Sequence, residues 1–122
     1  MNELEILQVR AVSLAVADAA RARHFYAETL GLEADDNIDM AFKIGEVLLL
    51  LKPEEEWYGK PTDELNARVT IRVRDSYVAE RILRKRGVTI SDPVTVYGKN
   101  PIGAFLDSEG NKLWFCSDAK LD

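Results

Sequence analysis

Few side chains in this sequence are equipped for chemistry. Arg68 and Arg72 stand at i and i+4 in the alternating stretch "ARVTIRVRD". On a strand that spacing puts both guanidiniums on one face, where they repel unless a carboxylate or phosphate lies between them. They mark either an anion site or the wet face of an antiparallel sheet, where charges belong. Trp114 follows the polar turn in "DSEGNKLWF" and offers an indole face for stacking on a flat ligand, or for a core or dimer contact. Trp57 and Tyr58 are adjacent aromatics in a segment rich in breakers, suited to a lid or an interface, or to packing over a sheet edge. The single histidine, His24, lies among arginines, and the single cysteine, Cys116, has no histidine beside it. Neither has the setting of a general base or an activated nucleophile, so no catalytic residue is expected.

The elements that must position these residues are written twice. In "LQVRAVSLAVAD" the residues Val12, Leu14 and Val16 alternate with Ala11, Ser13 and Ala15, the period of a strand with one apolar face. Asp18 then offers an N-cap, and a helical pattern with Ala22, Phe25, Tyr26 and Leu30 runs to Gly31. Further on, Val69, Ile71 and Val73 alternate with Arg68, Thr70 and Arg72, Asp75 or Ser76 caps "YVAERILRKR", and Gly87 stops it. The tails agree when "AFKIGEVLLLL" is laid on "AFLDSEGNKLWF" with two extra residues in the second turn, which sets Leu49 opposite Trp114. Each copy then reads strand, helix and three strands. The strands fall at about 33 to 38, 39 to 44 and 47 to 52, and again at about 88 to 96, 102 to 107 and 112 to 117. The helices fall near 19 to 30 and 76 to 86. The chain reads as a single domain, with a first module over 7–52, a linker over 53–65 and a second module over 66–118.

Composition excludes several roles. The formal net charge is −5, which repels nucleic acid and anionic membrane surfaces. No apolar run approaches the length of a membrane span, and the first ten residues are too charged for a signal peptide. With one cysteine and therefore no internal disulfide, a cytoplasmic location is the simplest fit. An incurved sheet leaves strand edges needing cover, so a homodimer is expected.

The stretches "VADAARARHFYAETLGL" and "AFLDSEGNKLWF" resemble the vicinal oxygen chelate superfamily of glyoxalase I, bleomycin resistance proteins and extradiol dioxygenases. The resemblance runs over essentially the whole chain. It implies an α+β fold in which two βαβββ modules form a cupped mixed sheet with helices on the outer face. Enzymes of the family hold a divalent metal through His, Gln or Glu from the first and fourth strands of each module. Carried over, those positions are Ala11, Leu49, Arg68 and Trp114. Methyl and isobutyl groups have no donor, indole has only an N–H, and guanidinium is a permanent cation, so no metal and no cofactor are expected. The alternation of faces instead places Arg68, Arg72 and Trp114 in the cup opposite an apolar wall with Ser13, Phe42 and Leu49, under Trp57 and Tyr58. This reads as a metal-free, bleomycin-resistance-like protein binding a small aromatic or anionic molecule. The alternatives are a metal-dependent glyoxalase or dioxygenase-type enzyme, or an interaction protein whose cup is filled by a partner.

Overall fold

The computed structural model describes residues 3–55, 60–63 and 69–118. Of the residues singled out above, Trp57, Tyr58 and Arg68 lie outside the described residues. Strand β1 (Ala11–Val16) runs parallel to β4 (Val47–Pro53), β4 pairs antiparallel with β3 (Ala41–Ile44), and β3 pairs antiparallel with β2 (Glu33–Ala34). The second half repeats the arrangement. There β5 (Thr70–Arg72) is parallel to β8 (Lys112–Cys116), which is antiparallel to β7 (Asn100–Leu106), and β7 is antiparallel to β6 (Thr89–Tyr97). Among the described residues these strands make two four-stranded mixed sheets, ordered β1-β4-β3-β2 and β5-β8-β7-β6.

Helix α1 (Ala19–His24) is capped by the Asp18 side chain, which accepts from the N–H of Arg21. It runs on into a wider π-helical turn, Phe25–Thr29, closed by the Leu30 N–H donating to the Phe25 carbonyl at 2.9 Å. The extra residue in that turn lets the neighbours Phe25 and Tyr26 both enter the core, where each is buried. Helix α2 (Ser76–Lys85) is capped in the same way, by Asp75 accepting from Tyr77 and Val78. Gly31 and Gly87 follow the two helices with positive φ of 74° and 80°. This left-handed conformation ends a helix without a steric penalty when the residue has no Cβ. Strand β2 stops well short of residue 38 because Asp35 turns the chain, its carboxylate accepting from the N–H groups of Asn37 and Ile38, as carboxylates do in Asx-type turns.

One core joins both halves. Leu14, Val16, Phe42, Leu49 and Leu51 of the first sheet share it with Phe105, Leu113 and Phe115 of the second, and Ala22, Phe25, Tyr26 and Leu83 of the helices close over them. Both helices therefore lie on the core side of the strands. A polar seam crosses between the halves. The buried Tyr26 hydroxyl donates to Asp107 at 2.7 Å, and the Asn111 amide donates to the carbonyl of Ala15 at 2.7 Å. Burial and the Asp107 charge push the Tyr26 phenol well above its ordinary range, so it stays a donor at any physiological pH.

Candidate functional site

Strand register decides which side chains share the open face, away from the helices, because residues directly opposite in a ladder point the same way. In the second sheet Thr70 is opposite Trp114, Arg72 opposite Cys116, and Ala104 opposite Trp114 on the other side. Trp114 is thus on the open face, partly exposed, flanked by Thr70 and Ala104 as alternation predicts. In the first sheet Ser13 is opposite Leu50 and Ala11 opposite Leu48, so Ser13 and Leu50 are on the open face.

Leu49 and Phe42 are not on that face. Leu49 pairs with Val12 and with Phe42, and both Leu49 and Phe42 are core residues at 0% and 2% exposure, with Phe42 packed 6.0 Å from the Tyr26 ring. The error lies in the turn. Ala41 opposite Leu50 corresponds to Ala104 opposite Trp114, so the second turn is longer by one residue, not two. A slip of one residue moves a side chain to the other face of a strand. Leu50 is therefore the counterpart of Trp114, and Leu49 that of Leu113.

The charges on the second open face are matched. Arg72 forms an ion pair with Asp118, both largely exposed, and the hydrogen bond and charge of that partner raise the Arg72 guanidinium further. Lys112 reaches Asp92 at 3.0 Å and places its ammonium 4.5 Å from the centroid of the Trp114 ring, within cation–π range. A wall of unneutralised cations is thus not what surrounds Trp114: the described cations beside it have carboxylate partners. Each partner comes from a different part of the chain, Asp92 from β6 and Asp118 from beyond β8. Alternation along β8 puts Lys112 on the same face as Trp114, but a reading of single strands missed Asp92 as a member of the site.

The donor set does not suit a metal. Ala11, Leu50 and Trp114 bring no oxygen, imidazole or thiolate to the open face, and correcting Leu49 to Leu50 exchanges one isobutyl group for another. Among the described residues no group of three or more His, Cys, Asp or Glu side chains converges. His24 is exposed on the last turn of α1, on the helix side, while Cys116 is half-buried on the open face beside Arg72.

Fold and site together define a paired βαβββ protein whose open face carries an indole where a metal protein needs a ligand. Residues 8–115 match the model of the Glyoxalase/Bleomycin resistance protein/Dioxygenase superfamily, and the chain belongs to that superfamily. Similar solved structures include a member of that superfamily from Sphaerobacter thermophilus, with 23% identity, 93% of this chain and 98% of that chain covered, and a TM-score of 0.77. TnmS3, an antibiotic binding protein from a Streptomyces species, is also 23% identical, over 93% of this chain and 98% of that chain, with a TM-score of 0.70. A glyoxalase-related enzyme from Fulvimarina pelagi aligns at 13% identity and a TM-score of 0.73, over 93% of this chain and 89% of that one. A search of curated proteins finds no match.

Proposed function

We propose that this protein binds a small planar molecule on the open face of the second sheet without a metal and without chemistry. The observation that carries the reading is Trp114, partly exposed beside the Lys112 ammonium, at a position where the enzymes it resembles need a metal ligand. An indole offers a large, rigid, amphipathic stacking surface. Thr70, directly opposite Trp114 in the ladder, supplies a short polar contact beside it. Because Arg72 and Lys112 already have carboxylate partners, an aromatic body matters more to the ligand than a negative charge. An antibiotic binding protein of similar fold is a precedent for this class of role. A thermal-shift screen of planar aromatic compounds and simple carboxylates, run with and without a chelator, tests it. The aromatic compounds are expected to raise the melting temperature equally in both conditions. Stabilisation that needs an added divalent metal would contradict the reading.

We further propose a cytoplasmic homodimer. In the N-terminal arm, Leu4, Ile6, Leu7 and Val9 are all largely exposed, an apolar segment that a second copy would cover. Light scattering is expected to return twice the chain mass, and a value near 13.7 kDa at micromolar concentration would refute it.

A further inference from the structure

The helix side of the second sheet holds a cleft of 310 Å³ that plays no part in the reading above. It opens where the residues after α1, Leu30 and Leu32, approach α2, with Ile71 and Val73 of the second half beneath it and Ile82 of α2 along one wall. The volume falls at the small end of the range for ligand pockets, roughly 300 to 1,000 Å³. The lining is apolar with one exception, Arg86, just past the end of α2. The apolar stripe of α2 is wider than its sheet covers. Ile82 lines the cleft yet stays 41% exposed, and Val78 is 36% exposed. The two lie one turn apart and so share a helix face. A monomer gains nothing from leaving that surface in water.

Arg86 supplies the second observation. Its Nη1 donates to the Thr29 carbonyl at 3.0 Å, which ties the guanidinium across from α2 to the end of α1, at the mouth of the cleft. Among the described residues no carboxylate lies within ion-pair distance of it; the same holds for Arg10, Arg74 and Arg81, but of these four only Arg86 lines the cleft. A guanidinium has five N–H donors in a planar fork, and one bond to a carbonyl leaves most of them for an anion. Apolar walls with a single charged group among them, a fork without a described carboxylate partner, are the complement of a hydrocarbon chain ending in one carboxylate.

We propose that this cleft is a second binding site, for a medium-chain monocarboxylate whose hydrocarbon body lies against Leu30, Val73 and Ile82 and whose carboxylate pairs with Arg86. The site is on the opposite side of the strands from Trp114, so it stands or falls independently of the open-face reading. Both the shape and the charge are needed. Hydrocarbon burial supplies the affinity, and the charge-assisted bond distinguishes an acid from an alcohol of the same length.

The test uses decanoate and 1-decanol below their aggregation limits, titrated into the full chain and followed by methyl NMR. The expected result is shifts at the methyls of Leu30, Ile71, Val73 and Ile82 with the Trp114 indole unmoved, and decanoate binding tighter than the alcohol by roughly tenfold. Arg86→Gln should erase that difference while leaving alcohol binding intact, Ile82→Asp should abolish both, and Trp114→Ala should change neither. Should Ile82→Asp compromise folding, the acid-to-alcohol ratio in native and Arg86→Gln protein decides alone. The proposal is overturned by absence of shifts up to about 1 mM, by shifts that centre on the open face, or by an Arg86→Gln protein that still prefers the acid. It is equally overturned if Ile82→Asp turns a dimer into monomers, which would make this face a contact between copies.

Discussion

The two sheets share one strand order and differ in what they present on the open face. The first carries Ser13 and Leu50 with two lysines, Lys52 and the Glu33-paired Lys43, and no aromatic ring among the described residues, while the second carries Thr70, Arg72, Lys112 and Trp114, with Asp92 and Asp118 neutralising the cations. On the core side the halves are alike, Leu49 matching Leu113 and Phe42 matching Phe105, all buried. The fold uses one side of each strand to pack, and there both copies need large apolar residues. The other side packs less completely, with only Ala15, Ala41, Leu48 and Ala104 buried among its named positions, so a wall without aromatics and an aromatic wall can stand on the same frame.

The largest expected effect tests that division within one strand. Leu49→Ala removes a fully buried side chain and is expected to cost about 3 kcal/mol, whereas Leu50→Ala, on the partly exposed open face, should cost about 1 kcal/mol or less. Urea denaturation of both variants measures it. Equal costs, or the reverse order, would mean that the register of β4 is wrong and that Leu49 is the open-face residue.

That pair of leucines also marks where reading the sequence stops. Alternation in β1 and β5, the Asp18 and Asp75 caps and the stopping glycines were enough to place the helices and most strands, because those signals are local. The tail "VLLLL" has no alternation, so nothing in it says which leucine faces the helices, and the outcome rested on counting turn residues. The charge partners were illegible for a different reason. Arg72 meets Asp118 and Lys112 meets Asp92 only because β5, β6 and β8 are brought together in one sheet, and no spacing in the chain announces it. Trp114 was legible because it sits in a short alternating strand after a marked turn.

Glu109 read as a turn residue, yet it ties the halves together. Its buried carboxylate accepts from the N–H groups of Ala17 and Asp18 at 2.9 and 2.8 Å and from Arg21 at 2.6 and 3.1 Å. Burial alone would raise this carboxyl, but the hydrogen bonds from Arg21, Asp18, Ser108 and Ala17 outweigh it and hold it at about 2, against an ordinary 4.5. A carboxyl depressed on folding stabilises the fold above its ordinary value and loses that contribution as pH falls toward the folded value. Acid should therefore weaken the protein progressively from about pH 4.5 down to about pH 2. Glu109→Gln should cost roughly 2 kcal/mol at neutral pH and flatten the stability profile in that window. A variant with native stability and an unchanged profile would show that the seam does not depend on this carboxylate.

The smallest effect on stability falls at Trp114, and it carries the central claim. The side chain is partly exposed, so Trp114→Ala should leave folding within about 1 kcal/mol of native while removing the stacking surface. The most direct measurement follows the Trp114 indole N–H cross-peak, assigned by Trp114→Phe, while a planar aromatic hit from the screen is titrated in with a chelator present. Saturable displacement of that cross-peak, with binding lost in Trp114→Ala, is the predicted result. An unmoved indole, or binding that appears only once a divalent metal replaces the chelator, would contradict the assignment of this face as a metal-free binding site.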